Sequence, residues 1–236
     1  MLHTTRAVAL RTFRHTDNTL VMKAYTEAFG ARSYLVRTGK RGGMRQAPVQ
    51  PLDRLELVVT ESGDREMHTV REMRVFLPYT NLAADPVRGL VLLFAQEVFY
   101  RTLRAGAPDP PLFHFVLETL ETIDSGRDPG AVPVLLLVRL AHHLGILPQP
   151  PPDAEGHFDL REGSFTKGSP VHAFCMDPES SALFARLLHA ELQGAPLPVP
   201  MMRQKVLLDH LLIYFRLHVE GFGELRSPGV LHDVLR

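Results

Sequence analysis

The chain has 236 residues, 45% hydrophobic and 22% charged, so it is long enough for one or two domains with a real core and too apolar to be disordered. Its single cysteine, Cys175, excludes an internal disulfide framework and a four-cysteine zinc site, and is compatible with a reducing cytoplasm. The formal net charge of zero averages two unlike halves: residues 1–80 carry 13 basic and 8 acidic side chains, whereas residues 81–236 carry 13 and 18.

The opening residues hold Arg6, Arg11 and Arg14 with no apolar stretch and no small-residue cleavage site, so no signal peptide is expected. From Thr5 to Phe13 the residues suit a first strand. Thr19–Thr26 and Arg32–Thr38 are short, β-rich and bounded by turn residues, with Phe29, Gly30 and Ala31 as a tight connection. Over Leu52–Thr60, Leu55, Leu57 and Val59 fall on one face by period two. Ser62, Gly63 and Asp64 then turn the chain into a fifth strand, about Met67–Phe76. Five short antiparallel strands in under ~80 residues suit a small closed barrel, of the OB or the SH3-like kind.

After Pro78 the period changes to that of helices. Asp85 and Pro86 form an N-cap and N1 pair for a helix to about Arg104, with Val87, Leu90, Val91, Phe94, Val98 and Phe99 as its apolar stripe. Prolines 108, 110 and 111 punctuate, and a second helix is expected over Leu112–Asp124. A third, about Ala131–Leu144, is apolar nearly all round and ends at Gly145. No apolar run approaches the ~18 residues of a spanning helix; the best candidate, residues 132–147, is interrupted by Arg139. His157–Thr166 reads as a small hairpin turning near Gly163. Asp177 and Pro178 start a fourth helix ending by Gly194, a fifth spans about Met201–Glu220, and a short one begins near Gly229. The expected organisation is therefore an α+β chain: a basic barrel over 1–78, then a helical domain over 79–236 with a hairpin insertion at about 149–175.

Catalytic patterns are absent from the sequence. Val36–Arg41 imitates a phosphate loop but lacks its first glycine, and Arg41 stands where a magnesium-binding hydroxyl is needed. His142 and His143 are adjacent, so on a helix they point ~100° apart and do not share a metal easily. His157, His172 and Cys175 are the one set that a zinc-assisted enzyme could use, and ordinary surface positions explain them as well. The basic half is more informative. Residues 6–54 hold 10 basic against 3 acidic side chains, and phosphate is the commonest polyanion such a surface meets. Arg32, Arg37, Lys40, Arg41 and Arg45 fall in an acid-free run with Gly39, Gly42 and Gly43, beside Tyr34 and near Tyr25. Cations that track phosphates, with aromatics to stack bases, are what a single-strand groove requires. The candidate DNA contacts are Arg6, Arg11, Lys23, Arg32, Tyr34, Arg37, Lys40, Arg41 and Arg45.

Four stretches carry a resemblance. The most specific is Tyr214-Phe-Arg-Leu-His218 followed by Gly221-Phe-Gly-Glu-Leu-Arg-Ser227 and Val230-Leu231. Gln50-Pro51-Leu52, Leu140–Pro148 and Phe158–Phe165 agree with it in order. On these residues the chain resembles the RecO family, bacterial recombination mediators of DNA repair. The resemblance implies an OB-fold followed by a helical domain. It also implies a non-enzymatic protein that binds single- and double-stranded DNA and anneals complementary strands. With RecR, such a protein helps RecA replace single-stranded-DNA-binding protein, in the cytoplasm at the nucleoid, without a cofactor and away from any membrane. The coat protein's acidic-hydrophobic tail needs an apolar groove and a cation, for which Arg203, Lys205, Leu207, Leu211, Phe215 and Arg216 are the candidates. The rival reading is an interaction scaffold whose helical domain docks partner peptides, with incidental DNA contact.

Many members of that family carry a four-cysteine zinc site flanking the hairpin, whereas residues 149–175 here retain one cysteine. Packing must then hold the hairpin, with Phe158 and Phe165 as the expected anchors. Chelator should accordingly leave the melting temperature unchanged and metal analysis should find no stoichiometric zinc; a clear drop in melting temperature with chelator would reinstate the His157, His172 and Cys175 set.

Overall fold

A computed structural model describes residues 1–37, 49–60, 67–151, 156–168, 171–197 and 199–234. Contacts divide the chain into two compact units, Met1–Gly126 and Arg127–Arg236.

The first unit opens with five strands: β1 (Leu2–Thr16), β2 (Thr19–Thr26), β3 (Gly30–Arg37), β4 (Arg54–Thr60) and β5 (Met67–Val75). They close into a barrel in the order β1-β2-β3-β5-β4. All pairs are antiparallel except β3 with β5, which is parallel, so the expectation of five antiparallel strands is corrected at the closing seam. β1 is also longer than expected. Its irregularities between Ala9 and Arg11 and between Arg14 and Thr16 let one strand serve two partners, β2 and β4. Inside the barrel lie Ala7, Ala9, Met22, Ala24, Tyr34, Val36, Leu55, Leu57, Val59, Val70 and Met73. Alanines on β1 and β2 leave the volume that Tyr34 and the leucines of β4 fill.

Two helices complete this unit, α1 (Pro86–Thr102) and α2 (Pro110–Ser125). Asp85 and Asp109 cap them through the amides of Val87 and Leu112, each 2.9 Å. The second helix starts earlier than expected because Pro110 and Pro111 occupy its first turn, where a missing N–H costs nothing. Contacts group both helices with the barrel rather than with the helices that follow. Three ties explain this. Arg54, 1% exposed, donates to the carbonyls of Leu77 (2.8 Å) and Pro78 (3.1 Å) and to Glu121 Oε2 (2.8 Å), with its guanidinium 4.4 Å from the Tyr79 ring. Asp124 accepts from the amides of Thr80 (2.9 Å) and Asn81 (2.9 Å). Gly30, at φ +66°, lies so near the loop between α1 and α2 that a Cβ would stand 3.0 Å from the Gly106 carbonyl oxygen.

The second unit begins with a 3-10 turn (Pro129–Ala131) leading into α3 (Val132–His143), followed by β6 (His157–Asp159), β7 (Ser164–Thr166), α4 (Pro178–Leu192), α5 (Met201–His218) and α6 (Ser227–Val234). α3 is the central helix that its all-round apolar character requires: Val132, Val134, Leu136, Leu137, Val138, Leu140 and Ala141 are buried. The hairpin is held by packing. Phe158 is buried with its ring 4.8 Å from Phe165, 4.9 Å from Phe184 and 5.8 Å from Tyr214. From α5, the Tyr214 hydroxyl donates to the Ile146 carbonyl (2.6 Å) and His218 Nε2 bonds the Leu160 carbonyl (2.8 Å). A four-cysteine zinc site cannot form on residues 149–175, which hold one cysteine. His157 Nδ1 bonds the Met176 carbonyl at 2.9 Å and His172 faces Asp159 at 3.2 Å. Among the described residues no three metal-ligating side chains gather.

Replacing Arg54 with Ala strips the Leu77 and Pro78 carbonyls of their donor and should cost about 3 kcal/mol in denaturant unfolding; a loss under about 0.5 kcal/mol would show the guanidinium to be dispensable. A second expectation concerns acid. Burial alone would raise the Asp124 carboxyl, but hydrogen bonds from the Thr80 and Asn81 amides and the Thr80 hydroxyl outweigh it and hold the group below its ordinary 3.8. Its stabilisation is thus full above that value and is lost as pH falls through it toward the lowered folded value. An Asp124→Asn variant should lose stability at neutral pH and show a shallower further loss below pH 3.8 than the parent; parallel acid curves would contradict this assignment.

Candidate nucleic-acid interface

The outer face of β1–β2–β3 is set by alternation. Because Met22, Ala24, Tyr34 and Val36 point into the barrel, the intervening positions point out. Register then aligns two rows across the three strands: Arg11 opposite Lys23 opposite Ser33, and Phe13 opposite Val21 opposite Leu35. Arg37 follows, opposite Thr19. The face is therefore a basic row, an apolar row whose Phe13 is 37% exposed, and a further cation at the strand end.

Arg11 and Lys23 share an aromatic neighbour from outside the barrel. The Arg11 guanidinium lies 5.2 Å from the Tyr100 ring centroid and 4.8 Å from that of Phe13, and the Lys23 ammonium lies 5.4 Å from Tyr100. Both side chains are exposed, as is that of Arg37. Among the described residues none of the three forms an ion pair with a carboxylate.

The other expected contacts divide sharply. Arg6 is already neutralised: its Nε donates to Glu27 Oε2 at 2.8 Å and its Nη2 to Oε1, and it rests over Phe113. That hydrogen bonding, more than charge, holds the Glu27 carboxyl below the usual range. Arg32 folds back onto the Ala31 carbonyl at 3.2 Å. Tyr34 is a correction: it is fully buried in the barrel, 5.9 Å from the His68 ring, and cannot stack a base. Tyr25 is likewise buried, against Phe113, and burial pushes its hydroxyl up to about 12. Lys40, Arg41 and Arg45 lie outside the described residues.

The expected peptide groove on α5 is also corrected. Leu207, Leu211 and Phe215 are 1%, 1% and 0% exposed, so the core takes them and no surface remains. Arg203 pairs with Glu179, while Lys205 is exposed. Arg216 bonds Glu224 at 3.3 Å and borders a cleft of about 350 Å³ between α5 and the segment leading to α6, with Leu212, Ile213, Phe222 and Pro228 in its walls.

Sequence reasoning did not select Phe13 or Tyr100. Phe13 falls within the expected first strand, but its outward aim depends on the irregularity in β1. Tyr100 sits in the helix pattern beside the buried Val98 and Phe99, and only the packing of α1 on β1 shows its partners.

Comparison with known proteins agrees with the fold. The family model described as Recombination protein O N terminal matches residues 1–79, and that described as Recombination protein O C terminal matches residues 83–227. The chain is 25% identical over 239 residues to the DNA repair protein RecO of Azobacteroides pseudotrichonymphae, covering 99% of both chains. It is 27% identical over 242 residues to that of Porphyromonas gingivalis strain W83, covering 98% of both. With its OB barrel, its helical region and two family models in series over nearly its whole length, the chain belongs to the RecO family of DNA repair proteins.

Proposed function

We propose that this chain is a non-enzymatic recombination mediator that binds single- and double-stranded DNA through the outer face of β1–β2–β3. It brings complementary strands together for annealing and, with RecR, helps RecA replace single-stranded-DNA-binding protein, in the cytoplasm at the nucleoid. The observation that carries this reading is the unneutralised pair Arg11 and Lys23 beside the exposed Phe13. Two like charges directly opposite one another destabilise a sheet, so a polyanion laid across them relieves repulsion and releases its own counterions. Phe13, with Val21 and Leu35, offers bases an apolar surface between Arg11 and Arg37. Among the described residues no helix is long and apolar enough to cross a membrane.

The mechanism is electrostatic and needs no hydrolysis. Cations neutralise phosphates on two strands at once, lowering the repulsion that keeps them apart, and stacking holds bases unpaired until a complement arrives. The scaffold reading draws on the cleft beside Arg216, whose apolar walls suit a peptide side chain. Its lining also includes Asp209 and Glu224, the latter bonded to Arg216.

Charge reversal of Arg11 and Lys23 to Glu tests the reading. Both side chains are exposed, so the melting temperature should hold. Binding to single strands should weaken across all sequences, with the slope of log K against log salt falling by about 0.7 per lost phosphate contact. Parent-like binding of the double variant at every salt concentration would move the DNA site elsewhere.

A further inference from the structure

Arg11 and Lys23 face each other across β1 and β2, a placement that mutual repulsion should splay. Yet the two cations converge on one ring, at 5.2 and 5.4 Å from the Tyr100 centroid. Both distances are within the range in which the ring's negative face attracts a cation.

The ring is delivered with some precision. Gln96 lies four residues before Tyr100 and therefore on the same face of α1. Its Nε2 donates to the Leu10 carbonyl at 2.7 Å. Leu10 is the residue at the irregularity between Ala9 and Arg11, where the ladder to β2 is interrupted. That bulge both frees the Leu10 carbonyl for Gln96 and re-aims Arg11 outward, opposite Lys23. One turn of α1 thus reads the bulge with an amide and the two cations with a ring.

We propose that Tyr100 is a positioning residue for the DNA-binding face, holding Arg11 and Lys23 together as a phosphate-binding pair. This rests on the reading that those two cations contact DNA. α1 then forms part of the nucleic-acid surface through a residue that itself need not touch the nucleic acid. Free Lys and Arg side chains lose rotamer freedom when they bind, and a cation already seated on a ring has less to lose. The effect is on the readiness of the pair rather than on the number of phosphates neutralised. This separates the two kinds of variant: loss of the ring lowers affinity at every salt concentration without changing the salt slope, whereas loss of a cation changes the slope.

The experiment measures single-strand binding over a salt series, with melting temperatures, for Tyr100→Leu, Tyr100→Met, Tyr100→Phe and the Arg11→Glu, Lys23→Glu double variant of the full chain. Tyr100→Leu should bind about fivefold more weakly with an unchanged slope and melting temperature. Tyr100→Met gives the same readout should the branched side chain disturb folding. Tyr100→Phe keeps the ring and should bind as the parent does. Parent-like binding by both Tyr100→Leu and Tyr100→Met, alongside weakened binding by the double variant, would overturn the positioning role and leave the DNA face standing. Weak binding by Tyr100→Phe would also overturn it, by assigning the effect to the hydroxyl. Parent-like binding by the double variant would remove the DNA face itself and the proposal with it.

Discussion

Arg54 places a guanidinium where almost no water reaches it, and the surroundings answer with a carboxylate, two carbonyls and an aromatic face. Desolvating such a charge is expensive unless nearly every donor is met. The partners come from α2 and from the segment that leaves the barrel, so meeting those donors fixes the path of the chain after β5. The consequences run outward in order. Asp124 of α2 holds the Thr80 and Asn81 amides. Arg88 of α1 reaches back to the carbonyls of Ile123 and Gly126 at 2.6 and 2.8 Å. With both ends of the pair secured, α1 lies along β1 and sets Gln96 and Tyr100 over the bulge. The surface cations are therefore aimed by a buried one.

The basic excess of the N-terminal half is not one uniform field. Arg6, Arg14, Arg54 and Arg74 are bound to Glu27, Asp17, Glu121 and Glu56 respectively. Arg11, Lys23 and Arg37 stand apart from these pairs and share one face. A charge total over a segment cannot make that distinction, because it counts a neutralised arginine and an available one alike. The hairpin is likewise held by local means: Phe158, Phe165, Phe184 and Tyr214 supply its cohesion through ring contacts.

Much of the architecture was legible because period, caps and turn residues are local signals. The alternation of Leu55, Leu57 and Val59 and the Asp-Pro starts of α1 and α4 needed no tertiary information. What escaped was non-local. The parallel seam between β3 and β5 leaves no mark on either strand. The outward aim of Phe13 depends on a bulge, and the spacing of Tyr34 fits a barrel core as well as a base-stacking face until the barrel fixes the alternation of its neighbours. On α5, Leu207, Leu211 and Phe215 have the spacing of a groove, but that spacing equally describes a helix pressed into a core, and burial chose the core. The alternation over Leu52–Thr60 suggests a fourth strand that begins at Leu52, whereas β4 begins at Arg54. Instead Leu52 takes φ +63° in the turn before it, fully buried, with its amide on the Ala9 carbonyl at 2.6 Å and its own carbonyl accepting from the Tyr79 hydroxyl at 2.7 Å.

The pairing of β1 with β4, which sets Leu2 against Thr60, imposes an order on the birth of the molecule. The hairpins β1–β2 and β2–β3 close over short loops and form fast, but the barrel stays open until β4 and β5 have left the ribosome. During that interval the free edges of β1 and β3 are templates on which another nascent chain could add a strand. The sheet in that state already carries Arg11 opposite Lys23, with no Tyr100 yet synthesised to quiet them. The open edge of β1, Leu2–Val8, carries Arg6, and a charge on an edge strand is one of the devices that discourage such addition.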